Sequence, residues 1–146
     1  MKNVSVLTAL CLGMVLPNHS FSQANSIQIN QIAGKNQQEV ARVLGASEGC
    51  ETVRPSRIQP SPKCMYRRGQ VEIVFINGRA DWITINIPNR LFNPSSIAEI
   101  GLPLQGPSVI NENIIRWDNA WGFRSVTIAP GGAGRAAYVY VKAQTQ

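Results

Sequence analysis

Hydrophobic and polar positions alternate most clearly between Gln70 and Ile85, in two runs rich in β-branched and aromatic residues that flank Asn77-Gly78. Asn-Gly supplies two positive-φ positions, the requirement of a two-residue type I′ turn, so this stretch predicts a β-hairpin. A two-residue loop sets Ile76 opposite Arg79, Phe75 opposite Ala80, Ile73 opposite Trp82 and Val71 opposite Thr84. Directly opposed residues share a face. One face then carries Val71, Ile73, Phe75, Ala80, Trp82 and Thr84 and needs a cover. A slip of one residue would bury Arg79 and Asp81, which are expected instead as a surface ion pair.

Helical spacing precedes this hairpin. Asn36 and Glu39 form a capping box, Val40, Val43 and Leu44 line one side, and Gly45 supplies the stop. Lys63 to Arg67 then reads as a strand. The second half repeats the order. Asn93 caps, Pro94 takes the first helical position, Ile97 and Ile100 face inward, and Gly101 and Pro103 end the helix. Three strand candidates follow at Ile114 to Asp118, Phe123 to Ile128 and Ala136 to Lys142. Tyr138 and Tyr140 alternate with Val139 and Val141 in the last of them.

The capping Asn and the stopping Gly recur at near-equal spacing, at Asn36 and Asn93 and at Gly45 and Gly101. The pattern predicts an α+β fold: two α-β-β-β units, pseudo-repeats over about 31–88 and 89–146, forming antiparallel sheet with short helices packed on one face. Neither unit buries enough surface alone, so the two are expected to share one core and to make residues 25–146 a single domain.

Residues 1–24 stand outside that pattern. Lys2, the apolar stretch Val4 to Pro17 and the small residues of Ser22-Gln23-Ala24 predict a secretory signal peptide cleaved before Asn25. The apolar run is too short to span a bilayer, so no stable membrane insertion is expected after cleavage. Cys11 invites a lipoprotein reading, but Leu10 precedes it where a small residue is wanted. The location that follows is periplasmic or secreted.

Cleavage changes the chemistry on offer. The chain carries 14 Lys and Arg against 8 Asp and Glu, a formal net charge of +6, and Lys2 is the one charged residue in the signal segment. The single histidine, His19, leaves with it, as does Cys11. Cys50 and Cys64 remain, and in an exported chain two cysteines predict a disulfide. It would close a loop holding three prolines. Without histidine there is no Ser-His-Asp or Cys-His nucleophile. No metal or cofactor is implied. Gly131 to Gly134 joins two strands and so does not form a phosphate loop. Glu72, Asp81, Glu99, Glu112 and Asp118 leave carboxylate catalysis formally open, with no spacing that selects a pair.

Two constellations offer partner contacts. Arg54, Arg57, Lys63, Arg67 and Arg68 cluster in or beside the disulfide loop, as a docking surface for an acidic partner or as a solvated loop. Among the aromatic residues, Trp82 and Trp117 suit a core, whereas Trp121, in the turn Asp118 to Gly122, is the better candidate for contact with a partner. Nucleic acid is a poor candidate, because no base-reading motif is present.

The run Ala33 to Gly45 resembles the helix-opening signature of the outer-membrane-assembly lipoproteins of the SmpA/OmlA (BamE) family. Gly34, Val40, Leu44 and Gly45 match, with Asn36 where that family has Ser or Thr. The tandem arrangement is similar to the secreted β-lactamase-inhibitor proteins, which duplicate such a unit. The helix together with Phe75-Ile76-Asn77-Gly78-Arg79-Ala80-Asp81-Trp82-Ile83-Thr84 also resembles exported bacterial proteins that bring no activity with them. The expected function is a non-catalytic binding domain whose partner is a protein or an anionic envelope polymer. The tandem resemblance implies, as the alternative, a proteinaceous inhibitor of an extracellular hydrolase; a carboxylate-based hydrolase is the third reading.

Overall fold

The computed structural model describes residues 26–55 and 58–144. The expected signal segment, with Cys11 and His19, and the loop residue Arg57 lie outside the described residues.

Eight antiparallel strands form one sheet: β1 Gly49–Val53, β2 Ser61–Tyr66, β3 Val71–Ile76, β4 Arg79–Asn86, β5 Val109–Asn111, β6 Ile114–Ala120, β7 Phe123–Gly132 and β8 Arg135–Lys142. Their order is β1-β2-β3-β4-β8-β7-β6-β5. Two four-stranded meanders therefore meet along their last strands. Trp82 lies opposite Lys142 and Thr84 opposite Tyr140 at that seam.

Helix is scarce. Gln37–Leu44 forms the α-helix α1, and Ile29–Gln31 and Pro94–Ile100 are 3-10 segments. The expectation of an α+β fold with helices packed on a face is corrected by this sheet: the molecule is mainly β. The physical reason lies in segment length. Pro94-Ser95-Ser96 opens the second helical segment with poor helix formers, and Gly101 ends it in the left-handed conformation at φ +77°. Two edge strands also lie where no strand is expected. β1 begins at the disulfide loop, and β5 lies between Pro103 and the strand candidate at Ile114.

Local chemistry explains α1. Asn36 Oδ1 accepts from the Glu39 backbone N–H at 2.9 Å, and Glu39 Oε2 accepts from the Asn36 N–H at 2.9 Å. This capping box satisfies two donors that the first turn leaves without partners. Val40 and Leu44 are buried, and Gly45 has φ +91°.

The Asn77-Gly78 turn forms, with φ +51° and +75°. Ile76 opposes Arg79 and Phe75 opposes Ala80, as the two-residue loop requires. The register then shifts. Val74 opposes Trp82, Ile73 opposes Ile83 and Val71 opposes Ile85, so Asp81 is an extra residue in β4. A bulge changes which residues face which side beyond it. Ile83 and Ile85 therefore join Val71, Ile73, Phe75 and Ala80 in the core, while Trp82 and Thr84 turn to the other side and are half-buried. The expected placement of Trp82 and Thr84 on the core face is corrected by this bulge.

One apolar cluster runs under both meanders. Ile73, Ile83, Trp117, Val126, Val139 and Val141 are fully buried in it, and Ile29, Ile32, Val40, Ile97 and Ile100 join them from the helical segments. Antiparallel sheet tolerates one face packed on the core and the other turned to water. The second face of this sheet is the one that Trp82 joins.

Candidate functional site

The outer face is ordered by strand register. Across its middle run Lys63, Val74, Trp82, Lys142, Ser125 and Asp118, each opposite the next on the neighbouring strand. A second row holds Met65, Glu72, Thr84, Tyr140, Thr127 and Arg116. Tyr138, opposite Asn86 and Ala129, adds a third aromatic ring on β8 and is 39% exposed.

At the centre the Lys142 ammonium lies 5.5 Å from the centroid of Trp82 and 5.8 Å from that of Tyr140. The quadrupole of each ring attracts a cation in that position. The Tyr140 phenol is pushed up to about 12, first by burial, then by the charge of Asp81 and by Tyr138. At neutral pH it is therefore an O–H donor.

This shift has a stability consequence. An unfolded phenol titrates near 10. Between about pH 10 and pH 12 the folded chain keeps a proton that the unfolded chain has lost, so the stabilisation is complete below pH 10 and disappears as pH rises. Burial raises Tyr66 in the same direction. Denaturant unfolding across this range is expected to show a stability loss that is smaller in Tyr140→Phe. Equal losses in the two proteins would refute the assignment to Tyr140.

Asp81, at the bulge, is 1% exposed, and neither carboxylate oxygen has a hydrogen-bond partner among the described residues. The expected surface pair with Arg79 is corrected: Arg79 Nη1 donates instead to the Gly34 carbonyl at 3.3 Å.

The residues expected to contact a partner occupy separate surroundings. Lys63 lies on the outer face, 2.7 Å from Glu51 and 3.6 Å from Glu72. Its ammonium is raised above the ordinary value, chiefly by the hydrogen bond to Glu51. Arg67 and Arg68 form the β2–β3 turn at φ +51° and +57°. Arg67 Nη2 donates to the Val43 carbonyl at 3.4 Å, in the last turn of α1, where carbonyls lack helical partners. The Glu48 carboxylate accepts from the backbone N–H of both Arg68 and Gly69. Arg54 is exposed just past β1.

Trp121 takes the expected turn position, with φ +53°. Its ring lies 5.7 Å from Trp117 and packs against the core cluster. Trp117 itself is in the core, as expected. Cys50 and Cys64 form the disulfide, as a directly opposed pair of β1 and β2.

The candidate carboxylates are dispersed. Glu72 contacts Lys63, Asp118 contacts Arg116 at 2.6 Å and Glu99 contacts Arg90 at 2.8 Å. Among the described residues no group of three or more His, Cys, Asp or Glu side chains is placed to hold a metal ion. No helix among them is long and apolar enough to cross a membrane. A depression of about 570 Å³ beside the Gly131–Gly134 hairpin is lined mainly by backbone and small side chains. Its one guanidinium, that of Arg135, already donates to the Asn89 carbonyl at 3.0 Å.

Comparison of the chain with protein-family models, with curated proteins and with solved structures finds no match. The likeness to the SmpA/OmlA family rests on the helix-opening residues quoted above, and that to the inhibitor proteins on the tandem arrangement.

Sequence reasoning missed the Trp82–Tyr140–Lys142 centre. The alternation of Tyr138 and Tyr140 with Val139 and Val141 was its one visible signal.

Proposed function

We propose that this chain is an exported, non-catalytic binding domain, periplasmic or secreted, that holds a protein partner on the open face of its sheet. The observation that carries this reading is the aromatic centre of that face, where Trp82, Tyr138 and Tyr140 gather on the two middle strands although a packed core exists on the other side. Trp and Tyr are enriched among residues that dominate binding energy, because a rigid ring buries much area at little entropic cost. The disulfide supports an oxidising compartment.

The test is recovery of partners from envelope extract under non-reducing conditions, with the wild-type chain and Trp82→Ala as paired baits. A partner held by the wild type and lost by at least about tenfold from the variant supports the reading, on the scale of a hot-spot truncation. The variant should melt within a few degrees of the wild type, because Trp82 is outside the core. If the recovered protein is a hydrolase whose turnover stops on binding, the domain is an inhibitor. Equal recovery by both baits, or no reproducible partner, argues against the open face.

A further inference from the structure

The charges of the open face are unequally matched. Lys63 has Glu51 and Glu72, and Arg116 has Asp118. Lys142, at the centre, has no ion-pair partner among the described residues. Its contacts with Trp82 and Tyr140 hold the ammonium in place without neutralising it. A cation fixed in position before binding loses little freedom when a partner arrives.

We infer that the partner of the open face is a protein surface that places an Asp or Glu carboxylate on Lys142, between Trp82 and Tyr140. This rests on the open-face reading proposed above and supplies the chemistry of the contact. A carboxylate accepts several strong hydrogen bonds. Lys142 has three donors, and the Tyr140 phenol, protonated at neutral pH, is a further donor beside it. Thr84 and Thr127 stand directly opposite Tyr140 on the two neighbouring strands and bring hydroxyls to the same row. Asp81 is buried and is not offered to a partner.

Two other occupants fit less well. A neutral sugar stacks on a free ring face, and here the Lys142 ammonium stands over both rings. A polyanion is held by a row of unpaired cations, and here the flanking cations are already matched by Glu51, Glu72 and Asp118. A single acidic side chain matches a single unpaired ammonium. The net positive charge, +6 for the full chain and 13 − 8 = +5 without Lys2, steers acidic surfaces toward the chain over longer range.

The test selects a phage-displayed random peptide library on the folded, oxidised chain and then measures binding of the tightest recovered peptide by fluorescence anisotropy. Recovered peptides should be enriched in Asp and Glu over the input. Exchange of the critical Glu for Gln in the peptide, or Lys142→Met in the protein, should each weaken binding by about tenfold or more, as loss of a charged hydrogen bond does. Lys142→Arg should retain most of the affinity.

The peptide exchange needs no altered protein, so the inference is tested even if Lys142→Met fails to fold. Peptides without acidic bias that still lose binding on Trp82→Ala would overturn the inference and leave the open face standing. Peptides indifferent to both Trp82→Ala and Lys142→Met would overturn both. Heparin serves as the polymer probe. Tight heparin binding that Lys142→Met weakens, with no acidic peptide recovered, overturns the inference in favour of a polyanion. Recovery of no peptide, with no heparin binding, also counts against it.

Discussion

Replacing Trp117 with alanine is expected to cost about 3–5 kcal/mol, the range for removal of a large aromatic side chain from a packed core. Trp117 is fully buried, and Val126 lies opposite it on β7. Two local features raise the cost. The indole Nε1–H donates to the Gln105 carbonyl at 2.8 Å, so truncation removes this hydrogen bond as well as the ring. The ring also supports Trp121, whose positive φ is unfavourable for a side chain of that bulk. Because native domains are stable by only about 5–15 kcal/mol, this variant should be largely unfolded at modest denaturant. Trp121→Ala should cost less, since that ring is only partly buried and packs at the margin of the core cluster. Chemical unfolding followed by far-ultraviolet circular dichroism compares the two variants. Equal effects would mean that Trp121, not Trp117, anchors this end of the sheet.

The sequence made some of this structure legible and concealed the rest, for physical reasons. The Asn77-Gly78 turn and the Asn36–Glu39 box are local devices that act through the backbone within a few residues, and both stand where the pattern places them. Six strands were visible because an apolar side alternates with a polar one. β1 and β5 lie at the two sheet edges. All residues of β5, and all of β1 except Val53, are exposed, so neither carries the alternation that marks a half-buried strand. Without them each unit reads as helix plus three strands, and the share of sheet is underestimated. The capping signals were real, but they mark where helical segments begin and end and say nothing of how little helix lies between Asn93 and Gly101.

The candidate site was concealed by a single residue. Asp81 adds one position to β4 with no glycine or proline to announce it, and the residues beyond it change sides. Trp82 thereby leaves the core and meets Lys142. That meeting joins residues sixty positions apart through the β4–β8 seam, a pairing of the two halves that no local pattern encodes. The basic residues, by contrast, were visible as a run. Only the fold shows that Lys63 is matched by two carboxylates and that Arg67 caps a helix end.

Removal of the Cys50–Cys64 bond is the second large effect. The residues are separated by 14 positions, and closing a loop of that size is worth roughly 3 kcal/mol through the unfolded chain. The same bond fastens an edge. β1 pairs with β2 alone and contributes no buried residue to the core, so the bond adds to that ladder and to the Glu51–Lys63 ion pair in holding it to the sheet. Cys64 is fully buried, whereas Cys50 is exposed, so the bond ties an outlying strand to a residue of the core cluster. Reduction, or the pair Cys50→Ala and Cys64→Val, should lower the melting temperature by roughly 10 °C for a domain of this size. Hydrogen exchange should show where the loss begins. Amides of β1 and its contacts with β2 are expected to open first, while β4 and β8, paired on both sides, stay protected until the whole sheet unfolds. The open face depends on the central strands, so binding that requires Trp82 should survive mild reduction. Protection lost equally in β1 and β8 would instead mean that the bond stabilises the sheet as one cooperative unit.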